Sequence, residues 1–129
     1  MTEALLLAQR IDVIERGYEY LLAYAAQGRQ DDAGTELRDT LARMHVALSD
    51  MQGSLRAAFA GAPQPTGTRD FTDAVERDVL VARGAIGLVL GREHISSLLV
   101  DNLNASVHLR ALLTDLFLIE QALNSPPRD

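Results

Sequence analysis

Two histidines and two aspartates form the most regular spacing of reactive side chains in this sequence. His94, Asp101, His108 and Asp115 follow one another at steps of seven residues. Imidazole and carboxylate groups bind metal ions and act as general acids and bases. Seven residues correspond to about 10.5 Å of rise along a helix, which is too far for neighbouring members to share one metal ion. The spacing therefore predicts solvated residues along one edge of a helix.

The familiar catalytic and metal-binding motifs do not occur in the sequence. No glutamate is followed three residues later by histidine, as in di-iron bundles, and there is no His-x-x-x-His pair. Glycine-rich nucleotide motifs and Gly-x-Ser-x-Gly are missing as well. The chain has neither cysteine nor lysine, which excludes thiolate chemistry, disulfides and Schiff bases. We therefore expect no cofactor, no metal site within one chain and no enzymatic activity.

Composition and charge narrow the class of partner. The net charge is −6 and the arginines are spread along the chain, whereas nucleic acids and anionic membranes require a basic footprint. No apolar run reaches the roughly 20 residues of a membrane span. The start at Met1 also lacks the basic segment of a secretory signal. We expect a cytoplasmic protein that binds neither nucleic acid nor membranes.

Apolar residues recur at steps of three and four, which is the period of amphipathic helices. The pattern predicts four helices, over residues 2–27, 33–60, about 70–91, and from there to Asn124. In the first three helices the predicted core stripes are Ala4, Leu7, Ile11, Ile14, Tyr18, Leu21 and Ala25; Leu37, Leu41, Met44, Leu48, Met51, Leu55 and Ala58; and Val75, Val79, Ala82, Ile86 and Val89. The expected fold is an antiparallel up-down-up-down four-helix bundle.

Turn and capping residues place the predicted helix ends. Gly28 ends the first helix, Asp31 or Asp32 caps the second, and a Gly/Pro linker over residues 61–69 separates two helical hairpins. The third helix begins at Asp70 or at Asp73, which would form a capping box with Glu76. We expect one domain over residues 1–124 and a short flexible tail over 125–129.

The third helix is the most ambiguous element, because residues 79–91 contain three glycines and also suit a buried hairpin. We favour a helix because Gly84, Leu88 and Gly91 repeat at steps of four and three. Such a repeat forms a thin ridge that is suited to close helix packing. Glycine costs about 1 kcal/mol relative to alanine inside a helix, so we expect something to compensate.

The fourth helix carries one polar residue, Asn102, in an otherwise apolar seam. Such an amide fixes register or oligomeric state when it is buried, and it is merely solvated when it lies at the bundle edge. The sequence leaves both interpretations open. The predicted seam is Ile95, Leu98, Asn102, Ala105, Leu109, Leu112, Leu116, Ile119 and Leu123.

The first and fourth helices have apolar residues outside their seams. These residues either flank the core or form a contact face for another protein, and tyrosines on the face favour contact. The predicted face is Leu6, Val13, Gly17, Tyr20, Tyr24, Leu99, Leu103 and Phe117.

Two hypotheses about function follow from these observations. The first is a small adaptor or chaperone-like protein that acts by protein–protein contact and associates with itself as a homo-oligomer, most simply a dimer. The second is a ligand- or metal-binding bundle whose site is assembled at a subunit interface from His45, His94 or His108. The two hypotheses differ in whether bound metal or ligand changes the stability of the protein.

Overall fold

In the computed structural model, which describes residues 3–59, 67–126 and 128, the secondary structure is all helical, and these residues form no β-strand. The prediction of an all-α protein is therefore confirmed. The described helices are α1 (Glu3–Ala25), α2 (Leu37–Asp50), α3 (Ser54–Ala58), α4 (Thr68–Leu90), α5 (Ser97–Val107) and α6 (Leu109–Leu123).

Helix α1 buries the central part of the stripe that the sequence predicts, whereas Tyr18 and Ala25 of that stripe are half-buried. Leu7, Ile11, Ile14 and Leu21 are buried, and each such side chain stabilises the fold by about 1.5–3 kcal/mol relative to exposure. Gly17 lies on the same side, where a Cβ atom would overlap the side chain of Met44 in α2. The two helices therefore approach each other closely at this glycine.

The predicted second helix is two helices. It begins at Leu37, later than expected, and Glu36 at its N-cap makes no side-chain capping bond. A turn over residues 51–53 then separates α2 from α3, and it contains Gly53 with a φ of 76°. Left-handed backbone of this kind favours glycine because it has no Cβ. The predicted core stripe is nevertheless buried from Leu37 to Leu55.

Helix α4 confirms the predicted helix over residues 79–90, and it ends at Gly91 as expected. All five residues of its predicted stripe are buried. It begins at Thr68, before the predicted aspartates, and no side chain caps it. The capping box is wrong because Asp73 binds Arg56 of α3 instead, at 2.6 Å. Residues 61–66 of the predicted linker lie outside the described residues, as do Ala60 at the end of the predicted second helix and residues 127 and 129 of the predicted tail.

The predicted fourth helix is broken at His108. His108 has a φ of 47° and is the only non-glycine residue with a positive φ in the described part of the chain. A left-handed residue cannot continue an α-helix, and it costs about 1–2 kcal/mol for an L-amino acid. The chain thus forms α5 and α6 where the seam predicted one long helix.

The break at His108 changes which face of α5 is buried. In α6 the predicted seam holds, since Leu109, Leu112, Leu116 and Ile119 are buried. In α5 the seam is wrong, because its members are exposed and a different stripe faces the core. The exposed residues are Leu98, Asn102 and Ala105, and the buried ones are Ser97, Val100 and Leu103.

The packing of the helices has a simple pattern. Helix α1 packs on α2 and α3 and also on α5 and α6. Helix α4 packs on the same two pairs. A single cluster of buried apolar side chains fills the space between these helices.

A polar cluster joins the α1–α2 loop to the α4–α5 loop at one end of the molecule. The hydroxyl of Tyr24 donates a hydrogen bond to the carbonyl of Ile95. Ser97 donates from its hydroxyl to the carbonyl of Tyr24, and it accepts from the backbone N–H of Arg29. The backbone N–H of Ser97 donates in turn to the carbonyl of Arg29. These bonds satisfy buried polar groups that would otherwise destabilise both loops.

Asp32 and Arg38 complete this cluster, which we call the loop clasp. Their side chains form an ion pair at 2.7 Å, and Asp32 also accepts from the N–H of Ile95. Asp32 was a predicted helix cap; it instead bridges the two loops. Arg38 donates to three carbonyls around the end of α4, those of Leu90, Arg92 and Glu93.

We expect Asp32→Asn to lower the free energy of unfolding by about 1.5–3 kcal/mol at neutral pH, because hydrogen bonds to a charged group are lost. Burial raises the pKa of Asp32, but the hydrogen bonds from Arg38 and Ile95 outweigh it and leave this pKa below its ordinary value. The stabilisation is therefore present above a pH of about 4 and is lost as the pH falls through the folded-state pKa. Urea unfolding at several pH values measures both effects.

The control for this variant is Asp39→Asn. Asp39 pairs with Arg43 on the surface of α2, so its loss should change stability by less than about 0.5 kcal/mol. Equal destabilisation by the two substitutions would contradict the bridging role of Asp32.

Candidate functional site

The predicted contact face is partly inside the core. Gly17, Tyr24 and Leu103 are buried within the single chain, and Tyr24 belongs to the loop clasp. They are therefore not available to a partner. The sequence placed them on a second stripe because α1 buries a wider face than one heptad seam requires, and because α5 buries a different stripe from the predicted seam.

The remaining residues of that face differ in exposure. Leu6 is half-buried, and Val13, Tyr20 and Leu99 are half-buried against the core. The Tyr20 hydroxyl accepts from the N–H of Glu36, and its ring stacks on that of Tyr24 at 6.4 Å. Phe117 is 37% exposed. These eight residues thus include core members, flanking members and one surface member.

The three histidines lie on different elements. His45 is half-buried on α2 beside Gly87, His94 is exposed in the loop before α5, and His108 is at the α5–α6 break. Among the described residues, no group of three or more histidine, cysteine, aspartate or glutamate side chains is placed to hold a metal ion. The alternative of a site shared between subunits stays a prediction.

The surface of α4 that faces away from the other helices is unusually apolar. Val81 is 61% exposed and Leu88 is 66% exposed, with Leu80 beside them at 43%. Between them Gly84 has open space, since a Cβ atom there would meet nothing within 4 Å. At 3.6 residues per turn these positions fall in a sector about 100° wide, opposite the buried stripe. We define the α4 outer face as Arg77, Leu80, Val81, Gly84, Leu88 and Gly91.

The α4 outer face contains the glycine ridge that the sequence predicted for close helix packing. Gly84, Leu88 and Gly91 are all exposed, and in the described part of the chain no other helix packs on them. The expected compensation is therefore not found for Gly84 and Gly91 among the described residues, whereas Gly87 lies against His45 of α2. Leu80 and Val81 were missed, although their signal was present. Val79, Leu80 and Val81 are consecutive, and a helix can turn only one of three consecutive residues fully into the core.

A second feature is a polar pocket beside the α5–α6 break. It has a volume of about 560 Å³ and lies between α1 and the two C-terminal helices. Burial, followed by the negative charge of Asp78, raises the pKa of Asp115 in this pocket above its ordinary value. The polar lining residues are Tyr18, Asn104, His108, Arg110, Thr114 and Asp115.

Asn104 is the buried amide of α5, in place of the predicted Asn102. Both polar atoms of its side chain are shielded from solvent and have no hydrogen-bond partner in the described part of the chain. An unpaired buried polar group costs about 1–3 kcal/mol. Asn102 is exposed in the single chain, so a role in register stays a prediction that concerns assembly alone.

No protein-family model matches this chain, and neither a curated protein nor a solved structure matches it. Among the described residues, no helix is both long enough and apolar enough to cross a membrane.

Asn104→Leu should raise the free energy of unfolding by about 1–2 kcal/mol, because it removes an unpaired amide at similar volume. Asn102→Leu is the matched control on the same helix, and it should change stability by less than about 0.5 kcal/mol. Thermal and urea unfolding of both variants measure the difference. Destabilisation by Asn104→Leu would show that the amide is satisfied in the folded protein. A changed oligomeric state in Asn102→Leu would establish the register role.

Proposed function

We propose that this protein is a small cytoplasmic adaptor or chaperone-like protein that acts by protein–protein contact through the α4 outer face. The observation that carries the proposal is the exposure of Val81 and Leu88 around Gly84. Contiguous exposed apolar surface marks interaction sites in folded proteins. The face contains one charged residue, Arg77, which fits the depletion of charge in the core of interfaces.

We further propose that the chain forms one up-down-up-down four-helix bundle, in which α2 with α3 and α5 with α6 each count as one bent helix. The support is that α1 and α4 each pack on both of these pairs. In such an arrangement α4 presents a full outward surface. That surface spans 15 residues from Arg77 to Gly91, a rise of about 21 Å, which is suited to contact with a partner helix.

Leu88→Glu tests this function. The side chain is 66% exposed, so the variant should fold with a stability within about 0.5 kcal/mol of the wild type. A buried, unpaired carboxylate would oppose partner binding, so proteins that co-purify with the wild type from its native cell should be lost. The control is Leu118→Glu on α6, where a leucine of similar exposure, 58%, lies outside the α4 outer face. Equal loss in both variants, or a Leu88→Glu variant that loses neither cellular partners nor self-association, would refute a function of this face.

The second candidate is ligand or metal binding at the polar pocket, assembled at a subunit interface. The observation in its favour is the unpaired amide of Asn104 in a pocket that also contains His108. Such an amide is satisfied by a bound group that both donates and accepts hydrogen bonds. Metal analysis of the purified protein and thermal unfolding with and without a chelator test the metal form of this candidate. No bound metal and an unchanged melting temperature would remove that form.

A further inference from the structure

We infer that the partner of the α4 outer face is a second copy of the same helix, packed antiparallel across a two-fold axis at Gly84. This inference rests on the proposed function of that face. A two-fold interface requires a surface that is complementary to itself. The sterics, the apolar register and the charges of α4 each meet this requirement.

The steric argument concerns the centre of the face. Gly84 has a helical backbone, and a Cβ atom there would meet nothing within 4 Å, so neither a turn nor a contact with another described residue explains a glycine there. Helices approach most closely where a side chain is missing. Gly17 illustrates this effect within the chain, since α1 and α2 approach each other there. At Gly84 no described residue takes the place that Met44 takes beside Gly17, and the second copy supplies such a neighbour.

The apolar argument concerns register. In an antiparallel pair centred on Gly84, each residue meets the one that lies equally far on the other side of the axis. Leu80, four positions before Gly84, meets Leu88 of the second copy, and Leu88 meets Leu80 of the second copy. Two leucine pairs are thus buried, one on each side of the axis. A hydrophobic centre of this kind is typical of stable interfaces.

The charge argument selects the antiparallel direction. Arg77, seven positions before Gly84, meets Gly91 of the second copy at the C-terminal end of α4. This end of a helix has a partial negative charge. Arg38 of the same chain already donates to the Leu90 carbonyl there, so the site for Arg77 is the Leu88 carbonyl. Gly91 and Arg92 donate to the carbonyls of Gly87 and Val89, which leaves the Leu88 carbonyl without a donor in the described part of the chain.

Arg77 complements that end of the helix. Within the described residues it has neither an ion pair nor a hydrogen-bond partner. A parallel pair would instead place Arg77 beside Arg77 of the second copy. The antiparallel direction therefore joins an unpaired guanidinium to a free carbonyl, whereas the parallel direction opposes two like charges.

Disulfide crosslinking tests this arrangement directly, because the chain contains no cysteine. In Gly84→Cys, the two introduced thiols lie across the axis and should form a covalent dimer under mild oxidation at micromolar concentration. The control is Ser106→Cys, an exposed position on α5 outside the face, which should stay uncrosslinked. A mixture of Leu80→Cys and Leu88→Cys proteins tests the direction. The antiparallel register gives crosslinks between the two variants, and a parallel register gives crosslinks within each.

Sedimentation of the uncrosslinked protein supplies the second measurement. The wild type should be a dimer, and Leu88→Glu should weaken dimerisation at least tenfold, which corresponds to about 1.4 kcal/mol. A monomeric wild type overturns the inference, and so does a dimer that forms no Gly84→Cys crosslink and withstands Leu88→Glu. If the inference fails but the binding of cellular partners still depends on Leu88, the proposed function stands. If no cellular partner depends on Leu88 either, the inference and the proposed function both fail.

Discussion

The structure depends on the ion pair between Asp32 and Arg38, because these two side chains connect loops that are more than fifty residues apart in sequence. Arg38 holds the backbone at the end of α4, while Asp32 holds the backbone at Ile95 before α5. Hydrophobic burial is non-directional, so apolar stripes alone leave the relative positions of helices adjustable. The charged hydrogen bonds of the loop clasp are directional, and they fix where α4 ends with respect to α1 and α2.

Once the C-terminal end of α4 is fixed, its sequence leaves apolar surface that no other described helix covers. The stripe from Val75 to Val89 fills the core side. Leu80, Val81 and Leu88 then have to point elsewhere, because a helix distributes successive residues around its axis. Fixing α4 for the core therefore also fixes its outer face, with Gly84 at its centre.

The sequence was sufficient to predict those parts of the fold in which apolar period and burial agree. This holds for α1, for the stripe of α2 and α3, and for α4. It failed at α5, because the seam of α6 was continued back across the break at His108, and there the stripe with Leu98 is exposed and the stripe with Val100 is buried. One left-handed residue, His108, offsets the buried face of α5 from that of α6, and no local sequence pattern predicts this break. The contact surface was harder still to predict from the sequence. Tyr24 and Leu103 look like contact residues in the sequence, and only the packing of the other helices shows that they are buried.

Two residues destabilise the fold of the single chain, and neither makes a contact in the described part of the chain that offsets this cost. Gly84 weakens a helix interior, and Asn104 buries an amide that lacks a partner in the described part of the chain. Natural sequences follow local rules except where another requirement overrides them, and functional sites are the usual cause. These exceptions lie on different surfaces and have different chemistry, one apolar and one polar. The glycine has a complement already present in the molecule, namely the same helix face of a second copy. The amide needs a donor and an acceptor from outside α5, and for that reason the apolar face is the better supported site of contact.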